Sequence, residues 1–241
     1  MTMEQGVLRR ETCHVLIALG VFLLSMLLIS FVNEVLVVYY AAVTGSSLEA
    51  ASMAMFRQVL VLLELLLAGL AILFFTKVFK RRLIELGLTA TRLVRNTAVG
   101  VLVGAGGWSV ATIIALTLYR LVPYEVPESY TRTVTPSSTL DLVYLLMITW
   151  VLVGPCEELF FRGFIQGTFT FWKGPEMGVI AGSVLFGLAH FSPLLWFPSI
   201  PAAAVGIIYG IVYLKRRSIV PVAVAHSMNN TIGFALAFLL S

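Results

Sequence analysis

Two adjacent glutamates and an arginine stand inside a long apolar stretch of the chain. They are Glu157, Glu158 and Arg162, and the stretch runs from about Leu140 to Trp172. Charged side chains are so unfavourable in hydrocarbon that such a group indicates a functional site. On a helix, Glu158 and Arg162 are four residues apart and share one face, where they can form an ion pair. Glu157 points about 100° away from its neighbour and is therefore free for a different role.

Two other apolar stretches carry histidines. One ends in His190, and the other holds His226 and Asn230, which are four residues apart on one face of a predicted helix. Together with Glu157 they supply what hydrolysis requires: a general base, a second group that holds water, and donors for a developing oxyanion. A structural ion-pair cluster would explain Glu158 and its arginine but would leave Glu157 unexplained. The residue types therefore indicate hydrolytic chemistry.

Membrane-spanning helices are the elements that must position these residues. The chain of 241 residues is 59% hydrophobic and 12% charged, whereas soluble domains are about half apolar and about a quarter charged. It contains about seven apolar runs near the ~20 residues that one crossing needs. The sequence predicts an all-α fold, a polytopic transmembrane helical bundle of seven to eight helices. The larger number applies if Pro155 divides the run around the glutamates into two helices.

We interpret residues 1–241 as a single membrane-embedded domain, with residues 1–138 free of motifs and residues 139–241 forming the motif-bearing half. An irregular exposed loop is expected from Pro123 to Thr139, and Gly100 and Gly104 are expected to allow close helix packing. Glu64, an isolated acid in the second span, is assigned a structural role in which it pairs with another helix. The predicted spans outside the glutamate run are approximately Val15–Tyr40, Met53–Phe79, Thr97–Leu121, Met177–Phe191, Pro198–Leu214 and Ile219–Leu240.

The basic residues predict how the chain is oriented. Alternating the seven spans places 12 of the 16 Lys and Arg on the side of the N-terminus. Because basic loops stay in the cytoplasm, the sequence predicts a multi-pass protein of the cell membrane with a cytoplasmic N-terminus. The net charge of +4 is explained by these loops and by contact with the lipid bilayer, so a nucleic-acid partner is not expected. The 12 residues are Arg9, Arg10, Lys77, Lys80, Arg81, Arg82, Arg92, Arg95, Lys173, Lys215, Arg216 and Arg217.

Three short motifs follow one another in the C-terminal half. The segment from Leu140 to Leu240 thereby resembles the CaaX protease and bacteriocin-processing family of intramembrane proteases, which is related to the type II CaaX prenyl endopeptidases. Each motif alone is weak, and their number and order make the resemblance specific. The motifs are EExxxR at Glu157 to Arg162, FxxxH at Phe186 to His190, and HxxxN at His226 to Asn230.

The resemblance implies roles for the individual residues. Glu157 and His190 would activate the attacking water, His226 and Asn230 would polarise the scissile carbonyl and stabilise the oxyanion, and the Glu158 ion pair would orient the site. The implied substrate is a membrane-anchored or C-terminal peptide or protein segment. The family would thus make the chain an intramembrane endopeptidase.

Two questions stay open at the level of sequence. No cofactor is expected to be required, but one glutamate and two histidines are a known zinc ligand set, so Glu157, His190 and His226 could instead hold a zinc ion. The intramembrane charges also suit a proton-coupled transporter or a catalytically silent scaffold or immunity protein. A transporter is disfavoured because the two halves show no visible repeat.

Overall fold

The computed structural model describes residues 3–191 and 196–241, and this part of the chain is built from helices without strands. The predicted all-α bundle is therefore confirmed. A short 3₁₀ helix, Leu83–Leu86, lies between the second and third helices. The eight helices of the described residues are α1 (Met3–Thr44), α2 (Leu48–Val78), α3 (Leu93–Leu121), α4 (Glu128–Val134), α5 (Thr139–Lys173), α6 (Pro175–Ala189), α7 (Ser199–Arg216) and α8 (Val220–Leu240).

Five of these helices, α1, α2, α3, α5 and α8, are long and apolar enough to cross a membrane. The other two predicted spans, α6 with 15 residues and α7 with 18, do not qualify. At about 1.5 Å per residue, α6 extends only ~22 Å of a hydrocarbon core that is ~30 Å thick. Helix α6 is therefore too short to span the core by itself.

The run around the glutamates forms one continuous helix, α5. The sequence left open whether Pro155 divides this run, and the structure shows continuous helix from Thr139 to Lys173. Widened π-helical turns at Thr149–Val153 and Leu159–Gln166 flank the short α-helical segment Gly154–Glu158. A π-helical turn accommodates a proline, which has no N–H to donate. The departures from regular α-helical geometry thus lie directly beside the two glutamates.

The segment between α3 and α5 is more ordered than the sequence predicted. Residues 123–139 were expected to be irregular, but they contain helix α4. Beyond it, Ser138 caps α5 by accepting a hydrogen bond from the Asp141 backbone N–H. Arg57 of α2 donates two hydrogen bonds, of 2.7 and 2.6 Å, to the Asp141 carboxylate. This bidentate pair ties α2 to the beginning of α5.

Close backbone packing holds α8 against α3. A Cβ atom on Gly100 would lie 2.6 Å from Val224 Cβ, and one on Gly104 would lie 2.5 Å from the Ala225 carbonyl oxygen. Only glycine leaves room for such an approach, so the predicted packing role of both glycines is confirmed. This contact fixes the position of the α8 segment that carries His226.

Candidate active site

The three motifs meet around one aromatic ring, that of Phe186 on α6. The centroid of this ring lies 4.6 Å from that of His190 and 5.8 Å from that of His226. The Arg162 guanidinium carbon lies 4.5 Å from the same centroid. Residues of α5, α6 and α8 that are distant in sequence therefore lie around one ring, with Arg162 and His226 buried and His190 exposed.

Glu158 is completely buried and holds two partners. Arg162 Nε lies 3.0 Å from Glu158 Oε2, as the four-residue spacing predicted. His226 Nδ1 lies 3.0 Å from the other carboxylate oxygen. Because an ionised carboxylate only accepts, Nδ1 carries a hydrogen and donates it. Glu158 therefore orients the His226 ring, as the carboxylate of a serine-protease triad orients its histidine.

Arg162 is held by an ion pair and by aromatic faces. Its side chain is 0% exposed. Its Nε forms an ion pair with Glu158 Oε2, but the geometry of this contact is not that of a hydrogen bond. The guanidinium carbon lies over the rings of Phe186 and Tyr209, at 4.5 and 5.8 Å from their centroids. Such cation–π contacts stabilise a charge that is withdrawn from water.

Glu157 differs from its neighbour as the helical geometry predicted. It is only partly buried, and no Lys or Arg among the described residues forms an ion pair with it. One oxygen, Oε2, is buried without a hydrogen-bond donor. The carboxyl group is close enough to His226 to act on it electrostatically. The carboxylate of Glu157 can thus still accept hydrogen bonds, whereas that of Glu158 is already held by Arg162 and His226.

His190 ends α6 and lines a cleft. Its Nδ1 lies 2.9 Å from the Phe186 carbonyl oxygen, which can only accept, so Nδ1 carries the hydrogen. The lone pair of Nε2 is then left to accept a proton. No ion pair joins His190 to Glu157 in the described part of the chain.

Asn230 lies one helical turn beyond His226 on α8 and is partly buried. Its side-chain oxygen accepts a 3.2 Å hydrogen bond from Asn229 Nδ2. The Asn230 amide nitrogen donates to none of the described residues, so its N–H groups are available.

Glu64 of α2 is the member of the cluster that sequence reasoning missed. It is 0% exposed, and neither carboxyl oxygen receives a hydrogen bond from a described donor group. It was expected to pair with another helix, but its neighbour is a second acid, Glu157 on α5, and no described Lys, Arg or His pairs with it. The signal in the sequence was a lone acid in the run Leu-Leu-Glu-Leu-Leu, and the missing information was which helix packs there.

The described residues do not form a recognisable metal site. Among them, no group of three or more His, Cys, Asp and Glu side chains could hold a metal ion. The Nδ1 atoms of both histidines already face protein oxygens. Each ring keeps its Nε2 for another partner, and a zinc-bound histidine is commonly held in this way, so the geometry is compatible with both the metal-free and the zinc-bound arrangement of Glu157, His190 and His226.

A cleft of about 750 Å³ leads to His190. It lies between the α1–α2 pair and the end of α6. Residues in α4 and directly before it also line the cleft. Its lining on α2 includes Leu63, which directly precedes Glu64. A cavity of this size can hold a short peptide segment. Its other lining residues include Ile29, Asn33, Glu49, Phe56 and Tyr130.

Comparison with known proteins identifies the C-terminal part of the chain. Residues 139–232 match the family model described as type II CAAX prenyl endopeptidase Rce1-like. Neither the curated proteins nor the solved structures gave a match. The matched segment begins with α5, ends within α8 and contains all three motifs. The match supports the resemblance of this segment to the CaaX protease and bacteriocin-processing family.

Proposed function

We propose that this protein is an intramembrane endopeptidase that hydrolyses a peptide bond of a membrane-associated substrate with water activated by Glu157 and His190. The division of roles within the glutamate pair supports this proposal. Glu158 is occupied by Arg162 and His226, whereas Glu157 has no cationic partner among the described residues. A partly exposed carboxylate without a cationic partner is suited to accept a proton from water.

The chemistry uses only side chains of this chain. The water oxygen attacks the scissile carbonyl carbon while Glu157 takes one proton, with His190 Nε2 accepting the water's second hydrogen bond. His226 Nε2–H and Asn230 Nδ2–H donate to the developing oxyanion. The C–N bond then breaks as Glu157 returns its proton to the leaving amine. Glu158 stabilises the positive charge on His226 that this donation requires.

Peptide cleavage by the purified protein tests the proposal. In lipid nanodiscs treated with a chelator, wild type is expected to cleave a membrane-anchored peptide, detected by mass spectrometry. His190→Ala should lose about 10²- to 10⁴-fold in kcat/KM because a proton-transfer group is gone. His14→Ala is the matched control, since His14 pairs with Glu11 at the basic end of the bundle.

Two outcomes would contradict this result. Failure of wild type to cleave any membrane peptide would favour the transport or scaffold alternatives. Activity that disappears with the chelator and returns with zinc would overturn the metal-independent mechanism.

The cleft lies at the end of the bundle opposite to the basic loops. Its residues on α2 run from Glu49 to Leu63, in the first half of that helix, and those on α1 lie in the second half. The loops after α2 and α7 carry the basic residues at the other end. With basic loops in the cytoplasm, the cleft opens to the noncytoplasmic side. The substrate is then a segment presented from that side, rather than a cytoplasmic C-terminus.

Cysteine labelling of intact cells tests this orientation. In a background without Cys13 and Cys156, Ser52→Cys at the cleft should react with a membrane-impermeant maleimide from outside. Lys80→Cys, at the basic end, should react only after the membrane is permeabilised. The opposite pattern would place the cleft in the cytoplasm and overturn the proposed side of substrate access.

A further inference from the structure

The cleft that leads to His190 carries a negative charge without a protein partner. Glu49 is the one acid among its described lining residues, and none of these residues is a Lys or Arg. The Glu49 side chain is exposed and forms no ion pair with a described residue. Arg57, the nearest cation along α2, is held by Asp141 on α5. The charge of Glu49 is therefore available to a molecule that enters the cleft.

One face of α2 lines the cleft, and its side chains change along the helix from polar to apolar. Glu49 and Ser52 lie in the first turns, and only apolar residues follow them. At about 1.5 Å per residue, the distance along the helix from Glu49 to Leu63 is about 21 Å, which matches about six residues of extended chain. The apolar lining residues of α2 are Met53, Phe56, Val59, Leu60 and Leu63.

Resting on the proposed function, we propose that the cleft binds an apolar substrate segment with a basic flank beside the first turn of α2, and that Glu49 recognises this flank. The apolar side chains of α2 pack against the segment, while Glu49 attracts a Lys or Arg and repels an acid. Asn33 of α1 lines the same cleft and is hydrogen-bonded to none of the described residues. Its amide group can bind the backbone of the segment. Glu49 thus determines specificity without touching the reacting atoms.

Glu49 also has a structural effect that differs from substrate recognition. It lies in the first turn of α2. An acid at this position stabilises the helix because its charge is near the positive end of the helix dipole. This effect changes the stability of the protein but not its choice between two substrates. Substrate preference is therefore the property that tests the proposal.

Cleavage of two peptides that differ only in flanking charge measures this preference. Both contain the same apolar segment, with lysines at both ends in one peptide and glutamates at both ends in the other. In nanodiscs of zwitterionic lipid, wild type should favour the lysine peptide by about 5- to 30-fold in kcat/KM. Glu49→Gln should weaken the preference, and Glu49→Lys should reverse it. The reversal includes faster cleavage of the glutamate peptide, which a misfolded variant cannot show.

The matched control is Glu34→Lys, because Glu34 is an exposed acid on α1 that does not line the cleft. It should keep the wild-type preference. Equal kcat/KM values of wild type for the two peptides, or an unchanged preference in Glu49→Lys, would overturn the proposal while the proposed protease activity stands. Reversal by Glu34→Lys as well would mean that the general surface charge selects the peptide, and it would also overturn the proposal.

Peptide binding gives a readout that does not depend on cleavage. Fluorescent forms of both peptides, bound to Glu157→Gln in the same nanodiscs, should show the same preference in Kd. Adding Glu49→Lys to this variant should reverse the order of the two Kd values. Equal Kd values would overturn the proposal. The expected order of Kd values, with no cleavage of either peptide by wild type, would contradict the proposed function alone.

Discussion

Replacement of Glu157 by glutamine is expected to lower kcat/KM for peptide cleavage by about 10²- to 10⁴-fold, without loss of the folded protein. The amide has the shape of the carboxyl group but cannot take a proton from water. The fold should survive because Glu157, unlike Glu158, holds no cationic partner among the described residues. The measurement is the rate of peptide cleavage in nanodiscs, together with the thermal unfolding midpoint.

The control for this substitution is Glu34→Gln, which changes an exposed acid on α1 in the same way. It should leave both the rate and the unfolding midpoint unchanged. Full activity of Glu157→Gln would remove Glu157 from the mechanism. A rate that falls only together with the unfolding midpoint would assign Glu157 a structural role instead.

Replacement of Arg162 by methionine is expected to destabilise the protein by about 3–5 kcal/mol. The substitution removes the cation but leaves the fully buried carboxyl of Glu158 with His226 as its remaining charged partner. A buried charge that has lost its partner lowers the stability of a protein more than apolar replacement of both partners does. The loss is measured by unfolding in mixed micelles with increasing denaturant.

The chain provides a control with the same spacing. Glu128 and Arg132 of α4 also form a pair four residues apart, but their side chains are 77% and 62% exposed. Arg132→Met should therefore change the stability little, because exposed pairs contribute little. Equal losses in the two variants would contradict the assignment of Arg162 to a buried pair. The double variant Glu158→Leu, Arg162→Met should recover part of the lost stability.

The local part of the site could be predicted from the sequence. A spacing of four residues on a helix was sufficient to pair Glu158 with Arg162, and the 100° offset was sufficient to separate the environments of the two glutamates. These predictions depend on the geometry of one helix alone. The order of the three motifs likewise indicated a family that the match to residues 139–232 supports.

Other features depend on which helices become neighbours. Glu64 carries no motif, and its place beside Glu157 follows from the packing of α2 against α5. The same holds for the contact of His226 with Glu158, which links α8 to α5 across 68 residues of sequence. A single sequence shows that each polar group needs a partner, but it does not say which helix supplies one.

Local departures from regular geometry were also not predictable. Pro155 indicated a bend, but whether two helices or one widened helix would result depends on how the surrounding helices support the freed carbonyl group. Helix α4 has only seven residues, too few for a periodic pattern to stand out among the turn-forming residues around it. The end of α6 matters most for function, because it leaves His190 in the lining of the cleft.

Hydrolysis in ¹⁸O-labelled water tests most directly whether these acids and imidazoles deliver water to a peptide bond. Purified wild-type protein in nanodiscs should convert a membrane-anchored peptide into two fragments, and mass spectrometry should find the label in the new C-terminal carboxyl group. The same fragments should be absent with Glu157→Gln. Unlabelled fragments, or labelled fragments formed equally fast by both proteins, would contradict water attack promoted by Glu157.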